Sequence, residues 1–148
     1  MTPAALMPFV FTVLYVAHMV ADHWLQNDWM SSRKGEPGWS GRAVCALHVA
    51  IYTAASVALL LGAAAYLHVD LDGRAVAAGL AVSAGTHYFA DRREPLRRLA
   101  ALTGREGFYR FGAPKRGHGP CMGTGAYVLD QSFHIFWLLI AAVIIAGR

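Results

Sequence analysis

The chain has 148 residues, 56% of them hydrophobic and 15% charged, with a formal charge of +4 and a mean hydropathy of +0.38. That length fits one domain, and an apolar share above the ~45–50% of soluble domains points to a membrane protein. Two cysteines, Cys45 and Cys121, give no disulfide framework. No aromatic-interleaved basic motif accompanies the positive charge, which argues against a nucleic-acid partner.

Four apolar segments follow in order, at about residues 4–26, 43–67, 75–91 and 126–146. A spanning helix takes ~20 apolar residues. The first, second and fourth segments meet that length. The third is short, and Gly79, Ser83, Ala84 and Gly85 suit it to tight helix packing or to a homodimer contact. The first segment lacks a basic start and a cleavage site, so it reads as a retained span rather than a signal peptide. Trp24, Trp29 and Trp39 flank the first loop as an aromatic belt. In the loop spanning residues 92–125, Glu94 to Leu102 predicts a short amphipathic helix with Pro95 in its first turn. The glycine-rich remainder predicts a flexible connection, and a lid over whatever lies beneath it. His118 and Cys121 form an isolated H-x-x-C pair there, a weak metal signal.

Basic residues fall on one side. Eleven of the thirteen lie in the two loops that follow the first and third segments, and only Arg74 and Arg148 lie opposite. The positive-inside rule then puts both long loops in the cytoplasm and both termini outside. The expected fold is an all-α, four-helix transmembrane bundle forming a single integral membrane domain, in the cytoplasmic membrane.

On that topology seven polar residues come to one level. His18 and Asp22 are four apart, as are His87 and Asp91, and as are Asp130 and His134 in reverse order; His48 opens the second segment. Residues at i and i+4 share a helix face. The order reverses in the one helix of the three that runs away from the cytoplasm, so Asp is nearer the cytoplasm in every pair and His about 6 Å deeper. The chain supplies no buried lysine or arginine at that level, so protons or a metal must balance the carboxylates.

Imidazole and carboxylate together suit a divalent transition metal, zinc first, as one ion or two. The candidate ligands are His18, Asp22, His48, His87, Asp91, Asp130 and His134, with His18, His87 and His134 preferred and His48 the alternate. Asp22, Asp91 and Asp130 are the candidate catalytic groups, acting as ligand, base or bridge. Gln26, Tyr52, Thr86 and Gln131 are placed to orient ligands. His23 faces elsewhere.

The motifs His18-x3-Asp22-x2-Leu25-Gln26, His48-x2-Ile51-Tyr52, Thr86-His87-x3-Asp91 and Asp130-Gln131-x2-His134 resemble a family of small bacterial and phage integral membrane proteins catalogued as a domain of unknown function. The resemblance covers nearly the whole chain and implies a membrane fold without implying an activity. A looser similarity, in residue type and placement alone, connects the chain with membrane-bound metal-dependent hydrolases. The expected function is therefore a metal-dependent hydrolase or lipid-modifying enzyme that takes an amphiphilic substrate from the inner leaflet. The alternatives are a metal-ion or proton transporter and a non-enzymatic membrane partner protein.

Overall fold

The computed structural model describes residues 1–113 and 122–147, and all regular structure among them is helical. His118 and Cys121 lie outside the described residues. Helix α1 (Pro3–Val20) starts with proline at its first position, which loses no bond because that N–H has no helical partner. It widens at its end into a π-helical turn, Ala21–Leu25, in which the Gln26 N–H reaches back five residues to the Ala21 carbonyl (2.9 Å). Helix α2 (Asp28–Arg33) is capped by the Asn27 side chain, which accepts from the Met30 N–H. Helix α3 (Gly38–Tyr66) is followed by α4 (Gly73–Asp91), capped by Asp72 at the Ala75 N–H (2.7 Å). Then come α5 (Glu94–Leu102), α6 (Glu106–Tyr109) and α7 (Gly125–Ala146), the last capped by Thr124.

The four long helices form a ring in which α4 packs on α3 and α7, and α1 packs on the same two. Leu6, Val10, Leu14, Leu60, Leu138 and Ile145 fill the half of the bundle away from α5. Among the described residues three helices are long and apolar enough to cross a membrane: α1 with its π turn, α3 and α7. Helix α4 is the poorest in large apolar side chains, and its small residues explain its position. A Cβ on Gly79 would lie 2.6 Å from Ile145 Cγ1 and 2.8 Å from the Ala141 carbonyl, so α4 and α7 touch there backbone to side chain. Gly79 therefore works inside the bundle and is not free for a dimer contact, whereas Gly85 faces open space.

The segment between α1 and α3 is more ordered than a loop. Arg92 donates to the Lys34 and Glu36 carbonyls (both 2.6 Å) and Arg93 to the Ser31 carbonyl (2.6 Å). Two side chains at the end of α4 thus grip the backbone that leads into α3. Gly41 is required by this closeness, since its Cβ would sit 2.1 Å from the Glu36 carbonyl oxygen. A Gly41→Val variant is expected to lose about 1–3 kcal/mol through overpacking against a backbone atom that cannot rotate away. Thermal unfolding in detergent measures it.

Helix α5 forms where the sequence predicts it. Arg93 takes φ +60°, which turns the chain sharply out of α4. Glu94 accepts from Arg97 and Arg98 at 2.8–2.9 Å, and these two guanidiniums hold its carboxyl down to about 2. Leu96 and Ala100 are buried, while Leu102 is 86% exposed.

Candidate metal centre

Helices α1 and α4 run toward the α5 end and α3 and α7 run away from it, so the seven predicted residues do meet. The Cβ vector of a helix leans toward its N-terminus. The lean shifts both members of a pair alike, away from the α5 end on α1 and α4 and toward it on α3 and α7, so Asp22 and Asp91 come level with His48 and His134. The two layers anticipated from helix rise therefore interleave into one. His18, His48, His87, Asp91 and His134 are all at most 3% exposed.

The tightest group is His48, His87 and Asp91. His48 Nε2 lies 3.1 Å from His87 Nε2, and Asp91 Oδ2 lies 3.2 Å from each. Asp22 Oδ1 approaches the same two nitrogens at 3.3 and 3.5 Å. His48, the alternate in the sequence reading, stands at the centre. His18 and His134 stand further out: His18 Nδ1 is 3.7 Å from Asp22 Oδ2, and His134 Nε2 is 3.8 Å from Asp130 Oδ2 and 3.9 Å from Asp91 Oδ1.

Hydrogen bonds alone do not satisfy this arrangement. Each imidazole nitrogen offers one proton or one lone pair, yet His48 Nε2 and His87 Nε2 each face two carboxylate oxygens and each other. Asp22 Oδ1, Asp91 Oδ2, His18 Nδ1, His48 Nδ1 and His134 Nε2 are buried and make no well-formed hydrogen bond. Such orphans in an interior are costly. A cation removes the conflict. Ligands at ~2.0–2.1 Å around a tetrahedral ion are separated by about 3.3 Å, and the His48–His87–Asp91 triangle, with edges of 3.1–3.2 Å, has the size of one face of that tetrahedron. Two further groups could hold an ion, His18–Asp22–His87 and Asp91–Asp130–His134. All three share His87 or Asp91, so the buried groups can accommodate a metal ion in adjoining positions.

One sequence inference fails. Lys34, in the turn after α2, places its ammonium 2.7 Å from Asp91 Oδ1, with both groups buried. It comes from outside the apolar segments, folded back by the arginine grip, so a search restricted to spans misses it. A fixed positive charge thus already balances part of the acidic charge.

A family model matches residues 10–147, which takes in all seven clustered residues and Lys34. The chain belongs to the DUF3307 family of proteins of unknown function. Comparison with curated proteins and with solved structures gives no match.

The supporting residues divide. Gln131 places its Oε1 3.3 Å from His18 Nε2 and donates to Asp130 Oδ2 (3.2 Å), joining α1 to α7. Tyr52 stacks on His87, with ring centres 4.1 Å apart, and shares a 2.5 Å hydrogen bond with Ser83. Gln26 donates to the backbone carbonyl of Asp22. Thr86 bonds the Val82 and Ser83 carbonyls of its own helix and takes no part in the cluster. Above the cluster a cavity of about 220 Å³ opens at the α5 end, lined by Asp22, Lys34, Asp91, Arg93, Tyr127 and Asp130 among others. His23, set aside in the sequence reading, lines this cavity and meets the Tyr127 hydroxyl at 3.3 Å.

Proposed function

We propose that this protein is an integral membrane metalloenzyme, a zinc-type hydrolase or related lipid-modifying enzyme of a bacterial or phage-encoded system, acting at the cytoplasmic face of the inner membrane. The observation that carries the proposal is the buried His48–His87–Asp91 triangle with its unsatisfied donor atoms. In this reading α4 is the fourth span and both termini lie outside, since nine basic residues among the described ones gather at the cluster end.

His48, His87 and Asp91 would hold the ion, with Asp22 beside the same two nitrogens. When bound, such an ion supplies Lewis acidity that polarises a carbonyl or phosphoryl oxygen and makes water acidic enough to attack at neutral pH. Lys34 fixes Asp91 through Oδ1 and leaves Oδ2 beside His48 Nε2 and His87 Nε2. Asp130, steadied by the Gln131 amide, lies near Asp91 and lines the cavity, where its carboxylate would accept a proton. Gln131 sets the ring of His18. The cavity admits a polar headgroup while the apolar part of an amphiphilic substrate stays in the leaflet.

Elemental analysis of protein purified without added chelator is expected to give about one equivalent or more of a transition metal. Less than ~0.1 equivalent, with unchanged folding in chelator, overturns the proposal. Turnover of ester and phosphoester lipids in vesicles then separates an enzyme from a metal-binding structural protein.

The Lys34–Asp91 contact favours one rival, a non-enzymatic network in which ion pairs alone hold the helices. Lys34→Met separates the two. A metal site is expected to keep its ion and its fold in this variant, because the ion also neutralises Asp91. A purely structural pair broken on one side costs about 3–5 kcal/mol and leaves no metal to measure. Transport is disfavoured by the sealed apolar half beyond the cluster, where Leu14, Leu60 and Leu138 are fully or nearly fully buried.

A further inference from the structure

The outer face of the bundle carries a second feature, on the far side of Arg92 from the His/Asp cluster. A cleft of about 1050 Å³ lies between the turn before α3 and helix α5. Three arginines line it, Arg42, Arg92 and Arg98, against a single carboxylate, Glu94, a net charge of +2. Glu94 is itself shared between Arg97 and Arg98, so neither guanidinium is fully neutralised. Arg92 spends its donors on neutral carbonyls, and its charge remains. Arg42 stands over the Trp39 ring, 5.5 Å from its centre, and that ring is 82% exposed. The cleft is thus basic at its rim, while Phe89, Leu99 and Leu102 give it apolar walls.

Below it a groove of about 720 Å³ runs along α3 over Ala46, Ala50, Ala54 and Ala58, with only apolar side chains and one threonine on that helix. Tyr88 lines both the cleft and the groove, so the two join end to end. Residues 46 to 58 of a helix cover about 18 Å at 1.5 Å each. One leaflet of a ~30 Å hydrocarbon core is about 15 Å deep. The feature therefore has a cationic aromatic end at the depth of the headgroups and a shallow uncharged groove one leaflet long.

We propose that this cleft and groove bind one anionic phospholipid of the cytoplasmic leaflet, with its phosphate among Arg42, Arg92 and Arg98 and one acyl chain along the alanine groove of α3. Guanidinium groups suit phosphate through paired, charge-assisted hydrogen bonds, and basic pockets beside spans on this side hold anionic headgroups. The inference rests on the membrane reading of the chain and is independent of the metal.

Full-length protein in neutral detergent, titrated with phosphatidylglycerol or phosphatidylcholine and read by native mass spectrometry, tests it. Phosphatidylglycerol is expected to be retained at least tenfold more tightly than phosphatidylcholine. The double variant R42Q/R98Q is expected to lose that tenfold preference. Ala54→Phe, which fills the groove without touching the arginines, is expected to weaken retention of both lipids. All three positions are exposed, so the core is untouched, and helix content by circular dichroism verifies the fold. Equal retention of the two lipids by the wild type overturns the proposal. So does an undiminished preference in R42Q/R98Q, and so does unchanged retention in Ala54→Phe, which reduces the effect to general surface attraction. Metal content is expected to stay constant across the variants, so the outcome does not depend on the His/Asp centre.

Discussion

Replacing Asp91 with Ala is expected to remove the bound metal, to below ~0.1 equivalent, and to destabilise the protein by about 3–5 kcal/mol. Two losses combine. Asp91 Oδ2 is a vertex of the central triangle, and Asp91 Oδ1 holds the Lys34 ammonium at 2.7 Å. Without the carboxylate, Lys34 is left as a buried unpaired charge, the situation in which breaking an ion pair costs most. The double variant Asp91→Ala/Lys34→Met is expected to recover part of the stability and none of the metal. Chemical unfolding in detergent together with elemental analysis separates these terms. Full metal retention in Asp91→Ala would refute the assigned ligand set.

The second large effect is expected at Gly79→Leu. Its Cβ alone would meet Ile145 Cγ1 at 2.6 Å and the Ala141 carbonyl at 2.8 Å, and a leucine adds three more carbons. Overpacking of this kind costs ~1–3 kcal/mol, and more where backbone must move. Helices α4 and α7 must part here, about 12 Å along α4 from His87 at 1.5 Å per residue. Both helices carry proposed ligands, so metal affinity is expected to fall along with the unfolding midpoint. Gly79→Ala is expected to show a smaller loss of both. An unchanged midpoint in Gly79→Leu would mean that α4 and α7 do not pack as described.

Much of the site could be read from the chain because its parts obey helical periodicity. The spacing of His18 to Asp22, His87 to Asp91 and Asp130 to His134 survives intact, and the loop charges put the three pairs at one level. Helix α5 also begins and ends where Glu94, Pro95 and Leu102 place it. Periodicity says nothing about residues that arrive by tertiary folding. Lys34 enters the cluster only because Arg92 and Arg93 hold carbonyls nearby, and no spacing rule reports a side chain gripping a backbone. The prominence of His48 was hidden for a related reason, since it lacks an aspartate on its own helix and borrows Asp22 and Asp91 from its neighbours. The π-helical turn around Asp22 was likewise silent in the sequence, although such turns recur at functional sites. The short helices α2 and α6 carry too few residues for a periodic signal.

The arginine grip has a consequence for which substitutions the protein tolerates. Arg92 and Arg93 hold Ser31, Lys34 and Glu36 by their backbone carbonyls, which every amino acid possesses. The side chains of Ser31 and Glu36 are thus free to vary without loosening the clamp, while Gly35 and Gly41, which make room for it, are not. The wall of the centre that supplies its ammonium is consequently specified by two arginines, two glycines and one lysine, and it can absorb change at the positions between them.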